Sequence, residues 1–287
     1  MNITLTGATG FIGKQLVPEL QNRGHVLRVL GRREWDSSST TPPPPDSLAS
    51  ADAIIHLAGA PVAQRWNAEV KKQIRDSRVN GTRALVHGLS MQSKRPEVLI
   101  SGSAIGFYGD RGDEILTETS PRGKGFLADV TEEWEQAADL ASNLGIRVVK
   151  LRTGIVLGKG GGALEQMLTP FKMGAGGRLS SGRQWMSWIH IRDLMGLILF
   201  ALADSKVSGP MNGTAPHPVR NIDFTEELGK ALHRPAVIPV PEFGLKLLFG
   251  EMAGVLLASQ RVLPQAAQAA GYRFQFPDLS AALRDVV

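Results

Sequence analysis

Cysteine is absent from the 287-residue sequence. Disulfides, thiolate nucleophiles and cysteine-ligated zinc are excluded with it, and the cytoplasm is the expected compartment. Tyrosine is nearly absent: Tyr108 and Tyr272 are the only two. Long runs of one charge are missing as well. The net charge of +5 is spread along the chain, with no block of five or six Lys/Arg, so neither nucleic acid nor a membrane is an expected partner. The most apolar stretch, residues 243–258, carries Lys246 and Glu251 and is too short to span a bilayer. Residues 1–6 lead straight into a motif, so no signal peptide is expected. The six histidines (His25, His56, His87, His190, His217 and His233) never fall at H-x-x-x-H spacing, so no metal site is expected.

Apolar residues make up 43% of the chain and charged residues 21%. That is an ordinary globular composition, enough for one large α/β domain or a nucleotide domain plus a smaller lobe. Residues 3–6 read as a short buried strand ending at Gly7. Residues 11–23 turn to helical spacing, with Ile12, Leu16 and Leu20 on one face and Gly24 at the stop. Residues 26–30 are a second strand, which completes a β-α-β unit. Residues 37–45 hold three Ser, two Thr and four Pro in a row. This is a loop, and with no further strand near it the sheet edge here is expected to be abbreviated. Residues 53–58, 98–101 and 146–151 read as strands; residues 67–91 and 125–144 read as helices.

Such alternation predicts an α/β fold, a Rossmann-type doubly wound parallel sheet with a smaller C-terminal substrate lobe. The dinucleotide-binding domain is expected over residues 1–151 and the lobe mainly over 152–287. A segment near 185–205 is expected to return to the first domain. Leu245, Leu248, Met252 and Leu256 follow helical spacing and are expected in the core or a subunit interface. The chain is expected to be a monomer or homodimer.

The strongest motif is Thr6-Gly7-Ala8-Thr9-Gly10-Phe11-Ile12-Gly13, a G-x-x-G-x-x-G between a strand and a helix. The first glycine permits a tight turn, the second lets the backbone approach a pyrophosphate, and the third lets helix and strand pack closely. The helix start then offers free N–H groups to phosphate. After the second strand stand Gly31-Arg32-Arg33. An acidic residue about 20 positions beyond the glycines clasps the ribose 2′-hydroxyl of NAD. Arg32 holds that place and suits a 2′-phosphate, so NADP(H) is expected over NAD(H). His56-Leu57-Ala58-Gly59 ends a strand with small residues over which a ligand can lie; His56 reads as a satisfied core histidine. Ser101 through Gly109 (SGSAIGFYG) follows the next strand and is expected to place Ser103 and Tyr108 over the crevice, as candidate catalytic donors.

These residues together resemble the extended short-chain dehydrogenase/reductase superfamily of nucleotide-sugar epimerases and dehydratases. Its landmarks TGATGFIG, HLAG, SGSAIGFYG and Trp188-Ile189-His190-Ile191-Arg192-Asp193-Leu194 occur in order. Arg65-Trp66, Ser77-Arg78-Val79, Arg152 through Gly158 (RTGIVLG), Asn212 through Pro216 and the tail from Pro239 to Tyr272 look like an atypical subgroup labelled only "epimerase family protein". Some of its relatives carry a cell-division-inhibitor label. The candidate cofactor-binding residues are Thr6, Gly7, Gly10, Phe11, Ile12, Gly13, Arg32, Leu57, Ala58, Gly59, Ser101 and Arg152.

The superfamily's Tyr-x-x-x-Lys pair is missing. Counted back from Glu135 it falls at Leu127 and Thr131, or with one residue of slip at Phe126 and Val130. Its Asn-Val-x-Gly-Thr reads Arg78-Val79-Asn80-Gly81-Thr82. Two functions are expected from this pattern. One is an NADP(H)-dependent oxidoreductase or epimerase acting on a small or sugar-like substrate. The other is a non-catalytic NADP(H)-dependent sensor or regulator, possible for a chain that keeps the glycines and loses the tyrosine.

Overall fold

The computed structural model describes residues 1–287. In chain order the first half runs β1 (Asn2–Thr6), α1 (Phe11–Asn22), β2 (Val26–Leu30), α2 (Pro45–Leu48), β3 (Ala53–His56), α3 (Ala68–Ser90), β4 (Val98–Ala104), β5 (Ile115–Leu116), α4 (Phe126–Asp139) and β6 (Arg147–Thr153). The second half runs β7 (Ile155–Leu157), α5 (Gly162–Lys172), β8 (Trp185–Met186), β9 (Trp188–His190), α6 (Ile191–Ala203), β10 (Gly209–Gly213), β11 (Val219–Arg220) and α7 (Asn221–Leu232). Then follow α8 (Glu242–Phe249), α9 (Ala253–Leu257), β12 (Arg261–Val262), α10 (Gln265–Ala269) and α11 (Leu279–Val286).

Six strands form one parallel sheet in the order β10-β6-β4-β3-β1-β2. Both faces are covered, so neighbouring residues on one strand point into different cores. Ile55, Ile100 and Val149 pack with Leu16, Leu20 and Leu197 of α1 and α6. Ile54, Leu99 and Val148 pack with Leu85 and Leu89 of α3 and Ala138 of α4. This is why the strands read as continuous apolar runs rather than as alternation. Chain order reverses between β1 and β3, and in such sheets the ligand crevice opens beyond the carboxyl ends of the strands at that point.

β2 is one of the two edge strands, opposite β10, and no strand lies beyond it. Four consecutive prolines cannot donate to a ladder. The segment is instead a strap with its own anchors. Trp35 and Leu48 are buried in the core beneath it, and the Trp35 indole N–H donates to the Thr41 carbonyl at 2.9 Å. The strap presses on α3 so closely that a Cβ on Gly81 would lie 2.0 Å from the Ser37 carbonyl oxygen.

A third core, with Leu157, Phe171, Trp188, Phe224, Leu228 and Leu283, holds the C-terminal lobe. The division at residue 151 cuts through β6, which runs to Thr153. The main sheet also takes up β10, beyond the 185–205 segment. Of the four tail residues at helical spacing, Leu245 and Met252 are buried, Leu256 is half-buried and Leu248 is exposed. No helix is long and apolar enough to cross a membrane.

Candidate cofactor and active site

At the carboxyl end of β1 the glycines do what their spacing demands. Gly7 sits at φ +77°, and a Cβ there would lie 2.6 Å from the Leu57 carbonyl carbon. A Cβ on Gly13 would lie 2.3 Å from the Gly7 carbonyl oxygen, so α1 can pack on β1 only without one. Gly10 is the N-cap of α1, and no side chain caps the helix or places an acid in its first turn. The amides of Phe11, Ile12 and Gly13 therefore keep their donors and the positive end of the helix dipole. The Phe11 ring is wrapped by a glycine loop of the lobe: a Cβ on Gly158, Gly161 or Gly162 would fall within 2.9 Å of it.

Across the crevice, Leu57, Ala58 and Gly59 follow β3. The Thr6 hydroxyl joins the two strand ends. It accepts from the Ala58 amide at 3.3 Å and lies 2.7 Å from Nδ1 of His56. Burial pushes the His56 imidazole down to about 4, so the ring is neutral at physiological pH. Arg32 is exposed in the turn after β2 and makes no ion pair, whereas the nearby Glu34 is engaged by Arg28 at 2.7 Å. Asp36 feels the Arg32 charge, but its carboxyl is held low mainly by the Ser38 amide and hydroxyl.

The second half of the predicted site is built differently. β4 continues past Ser101 to Ala104, so Ser101 and Ser103 lie inside a strand and not in the loop the sequence suggested. The Ser101 hydroxyl donates to the Gly102 carbonyl at 3.1 Å. The Ser103 hydroxyl donates to Glu135 Oε1 at 2.6 Å. Arg152, paired with Ser103 across β4 and β6, grips both oxygens of Glu135 at 2.7 and 2.8 Å. Its remaining Nη1 donates to the Tyr108 hydroxyl at 3.0 Å, which in turn donates to Asn212 Oδ1 at 2.7 Å. The guanidinium lies 3.6 Å from the Phe107 ring centroid. Burial raises the Tyr108 phenol above its ordinary value, opposed by Arg152. All six polar residues are at least nine-tenths buried, and each is hydrogen-bonded. Neither candidate donor has a free hydroxyl facing the crevice, and Arg152 is enclosed with them.

The positions of the missing pair are filled by apolar and self-satisfied side chains. Leu127 and Thr131 lie on the face of α4 that meets Gly106, and the Thr131 hydroxyl donates back to the Leu127 carbonyl at 2.6 Å. In the sequence Glu135 served only as a counting mark and Asn212 only as part of a subgroup landmark, while Glu118, whose Oε1 accepts from the Asn212 amide at 2.9 Å, was not singled out. The signal was present in a buried carboxylate three turns into an amphipathic helix, which needs a cation. The structure brings no three His, Asp or Glu side chains into an arrangement that could hold a metal ion.

A parallel sheet with a glycine-lined helix start at its switch point defines a Rossmann dinucleotide-binding protein. The chain belongs to the NAD-dependent epimerase/dehydratase family, whose model matches residues 3–212. A domain of unknown function matches residues 240–286. The chain is 42% identical over 302 residues to the chloroplastic homologue of the epimerase family protein SDR39U1 from Arabidopsis thaliana, covering all of this chain and 87% of that protein. It is 38% identical to an epimerase family protein of Bacillus subtilis, with 100% and 98% covered. The crystal structure of human epimerase family protein SDR39U1 with NADPH superposes at a TM-score of 0.88, with 34% identity and 100% and 99% of the two chains covered.

Proposed function

We propose that the protein binds NADP(H) and acts as an oxidoreductase or epimerase on a small-molecule substrate, in the cytoplasm, as a monomer or homodimer. The observation that carries this reading is the uncapped start of α1 beneath Gly7–Gly13, with Arg32 exposed and in no ion pair after the neighbouring strand. The related human protein was solved with NADPH. Bound NADP(H) supplies the hydride. The chain supplies position: the α1 amides hold the diphosphate, Arg32 pairs with the 2′-phosphate, and Leu57–Gly59 give a surface without bulky side chains. Within this reading Ser103 and Tyr108 are positioning residues that hold the ends of β4 and β6. The proton is then moved by the substrate or by water.

One observation favours the second reading, a non-catalytic NADP(H)-dependent sensor. Leu127 and Thr131 offer no titrating group, and the Tyr108 hydroxyl is sealed in. A positioned general acid contributes about 10²–10⁴ in rate, and here that contribution is missing. Both readings share the nucleotide, which is tested first. By calorimetry NADPH should bind more tightly than NADH, and Arg32→Ala should weaken NADPH by about ten- to a hundredfold, a charge-assisted contact contributing about 1.5–3 kcal/mol. Equal affinity of the native protein for both nucleotides refutes the assignment. A substrate screen followed by NADPH absorbance then separates enzyme from sensor.

A further inference from the structure

The loop that leaves β3 meets the first turn of α4 through aromatic rings. Both lie at the end of the sheet where parallel strands stop and their crossover helices begin, the end that carries the crevice. Trp66 stands edge-on to Phe126, the first residue of α4, with ring centroids 5.3 Å apart and planes at 73°. Leu127 follows, and a Cβ on Gly106 would lie 3.2 Å from its Cβ. All three side chains are half-buried, so each keeps apolar surface uncovered. The C-terminal lobe reaches the same place. Arg65 donates to the Leu247 carbonyl at 2.9 Å, and Lys71 pairs with Glu251 at 2.7 Å. α8 therefore ends beside this loop, with the side chains of Leu247 and Leu248 exposed.

The polar groups around this wall are already engaged. The Trp66 indole N–H donates to the Val62 carbonyl at 2.9 Å, so the ring offers carbon alone. The Thr131 hydroxyl is turned to the Leu127 carbonyl, and Ser103, Tyr108, Arg152 and Asn212 are tied into the closed network. Lys71, 5.1 Å from the Phe126 ring centroid, is neutralised by Glu251. A hexose held here would lose water from its hydroxyls and gain no partner in return. A flat apolar ring loses nothing. It can lie edge-on or offset against Trp66 and Phe126, the arrangements that aromatic rings prefer.

We propose that Trp66, Phe126 and Leu127 form the substrate subsite, and that the part of the substrate bound there is a planar, uncharged, apolar ring rather than a sugar. The proposal rests on the enzyme reading above and deepens it. Trp66 is the residue that sets this specificity, because it supplies the largest apolar face and has no hydrogen bond left to give.

The test uses the full chain, native, Trp66→Ala and Trp66→Phe, each with and without NADPH. The probes are chalcone and 2-methyl-1,4-naphthoquinone, both planar and uncharged, set against UDP-glucose. The quinone finds no thiol to alkylate, because the chain has no cysteine. Dissociation constants are read by calorimetry; melting temperature and NADPH affinity report whether each variant is intact. At least one ring compound should bind the native protein, and UDP-glucose should not. Trp66→Ala should weaken that binding about ten- to a hundredfold, and Trp66→Phe should keep most of it. Should Trp66→Ala not fold, Leu127→Asn, which puts an amide on the same wall, should show the loss instead. Ring compounds that bind these variants as tightly as the native protein overturn the proposal, as does binding of UDP-glucose in their place. If NADPH binds and neither ring compound does, the subsite fails and the cofactor reading stands. If a ring compound binds through Trp66 and NADPH does not bind, the cofactor reading fails and the subsite stands.

Discussion

At the carboxyl ends of β1 and β3 the chain leaves hydrogen-bond donors unspent; at the ends of β4 and β6 its buried hydroxyl and charged side chains spend theirs on one another. The first region has glycines, an uncapped helix and two cations without carboxylates, Arg32 and Arg78. The second has Ser103, Glu135, Arg152, Tyr108 and Asn212 closed upon each other, all buried. An unspent donor is a binding feature, because a ligand can complete it. A satisfied network rigidifies a core and offers a ligand nothing. The two candidate catalytic donors, Ser103 and Tyr108, lie where this chain is most closed, and the glycine motif lies where it is most open.

The comparison breaks first at Glu135. Glu135→Ala leaves the Arg152 guanidinium buried without its carboxylate, and removing one partner of a buried pair typically costs about 3–5 kcal/mol. Urea unfolding should show that loss, while the NADPH affinity of the remaining folded protein stays close to native. A stable Glu135→Ala variant that has lost NADPH would mean that the network belongs to the nucleotide site after all.

An acid titration sharpens the other side. His56 stands at the nucleotide edge with its pKa lowered from 6.5 to about 4. Unfolded chains protonate it from pH 6.5 downward and folded ones do not, so stability is complete above pH 6.5 and declines as pH falls towards 4. At about 1.36 kcal/mol per unit the loss approaches about 3 kcal/mol. Unfolding free energies measured from pH 7.5 to 4.5 should fall more steeply for the native protein than for His56→Gln. Parallel curves would show that the ring is charged or accessible in the folded state.

The smallest effect is expected at Tyr108. Tyr108→Phe leaves the Asn212 oxygen and Arg152 Nη1 short of one partner, which costs about 1–3 kcal/mol. A lower melting temperature with unchanged turnover, once a substrate is known, fits a positioning residue. A large fall in turnover at native stability makes Tyr108 the proton donor and opens the network to chemistry.

The open region was legible in the sequence because its requirements are local. Gly7, Gly10 and Gly13 answer to backbone geometry within one turn, and Arg32 follows β2 at a fixed distance. The closed region was not, because its partners come from far apart in the chain: Ser103 meets Glu135 and Arg152, and Tyr108 meets Asn212. Nothing near Tyr108 distinguishes a hydroxyl facing solvent from one facing Asn212. The end of β4 was misjudged for a related reason. Gly102 is a poor strand residue on its own, but it is required where the Trp134 ring would lie 3.1 Å from a Cβ. The abbreviated edge was readable because the prolines act through a missing donor, which needs no tertiary partner. Its anchoring by Trp35 was not, since a lone tryptophan in a polar loop carries no period.

The sheet also has a history in time. β6 ends at Thr153 and its outer neighbour β10 begins at Gly209, about 55 residues later; Ala267 of α10 completes the core on the same face. At a synthesis rate of about 5–20 residues per second, β6 leaves the ribosome about 3–11 s before the strand that covers it. During that interval its edge carries open backbone donors and acceptors beside Val149 and Leu151, a template for any other extended chain. The nascent protein is therefore most vulnerable to aggregation not at its permanent edges, β2 and β10, but at an edge that exists only while the chain is being made.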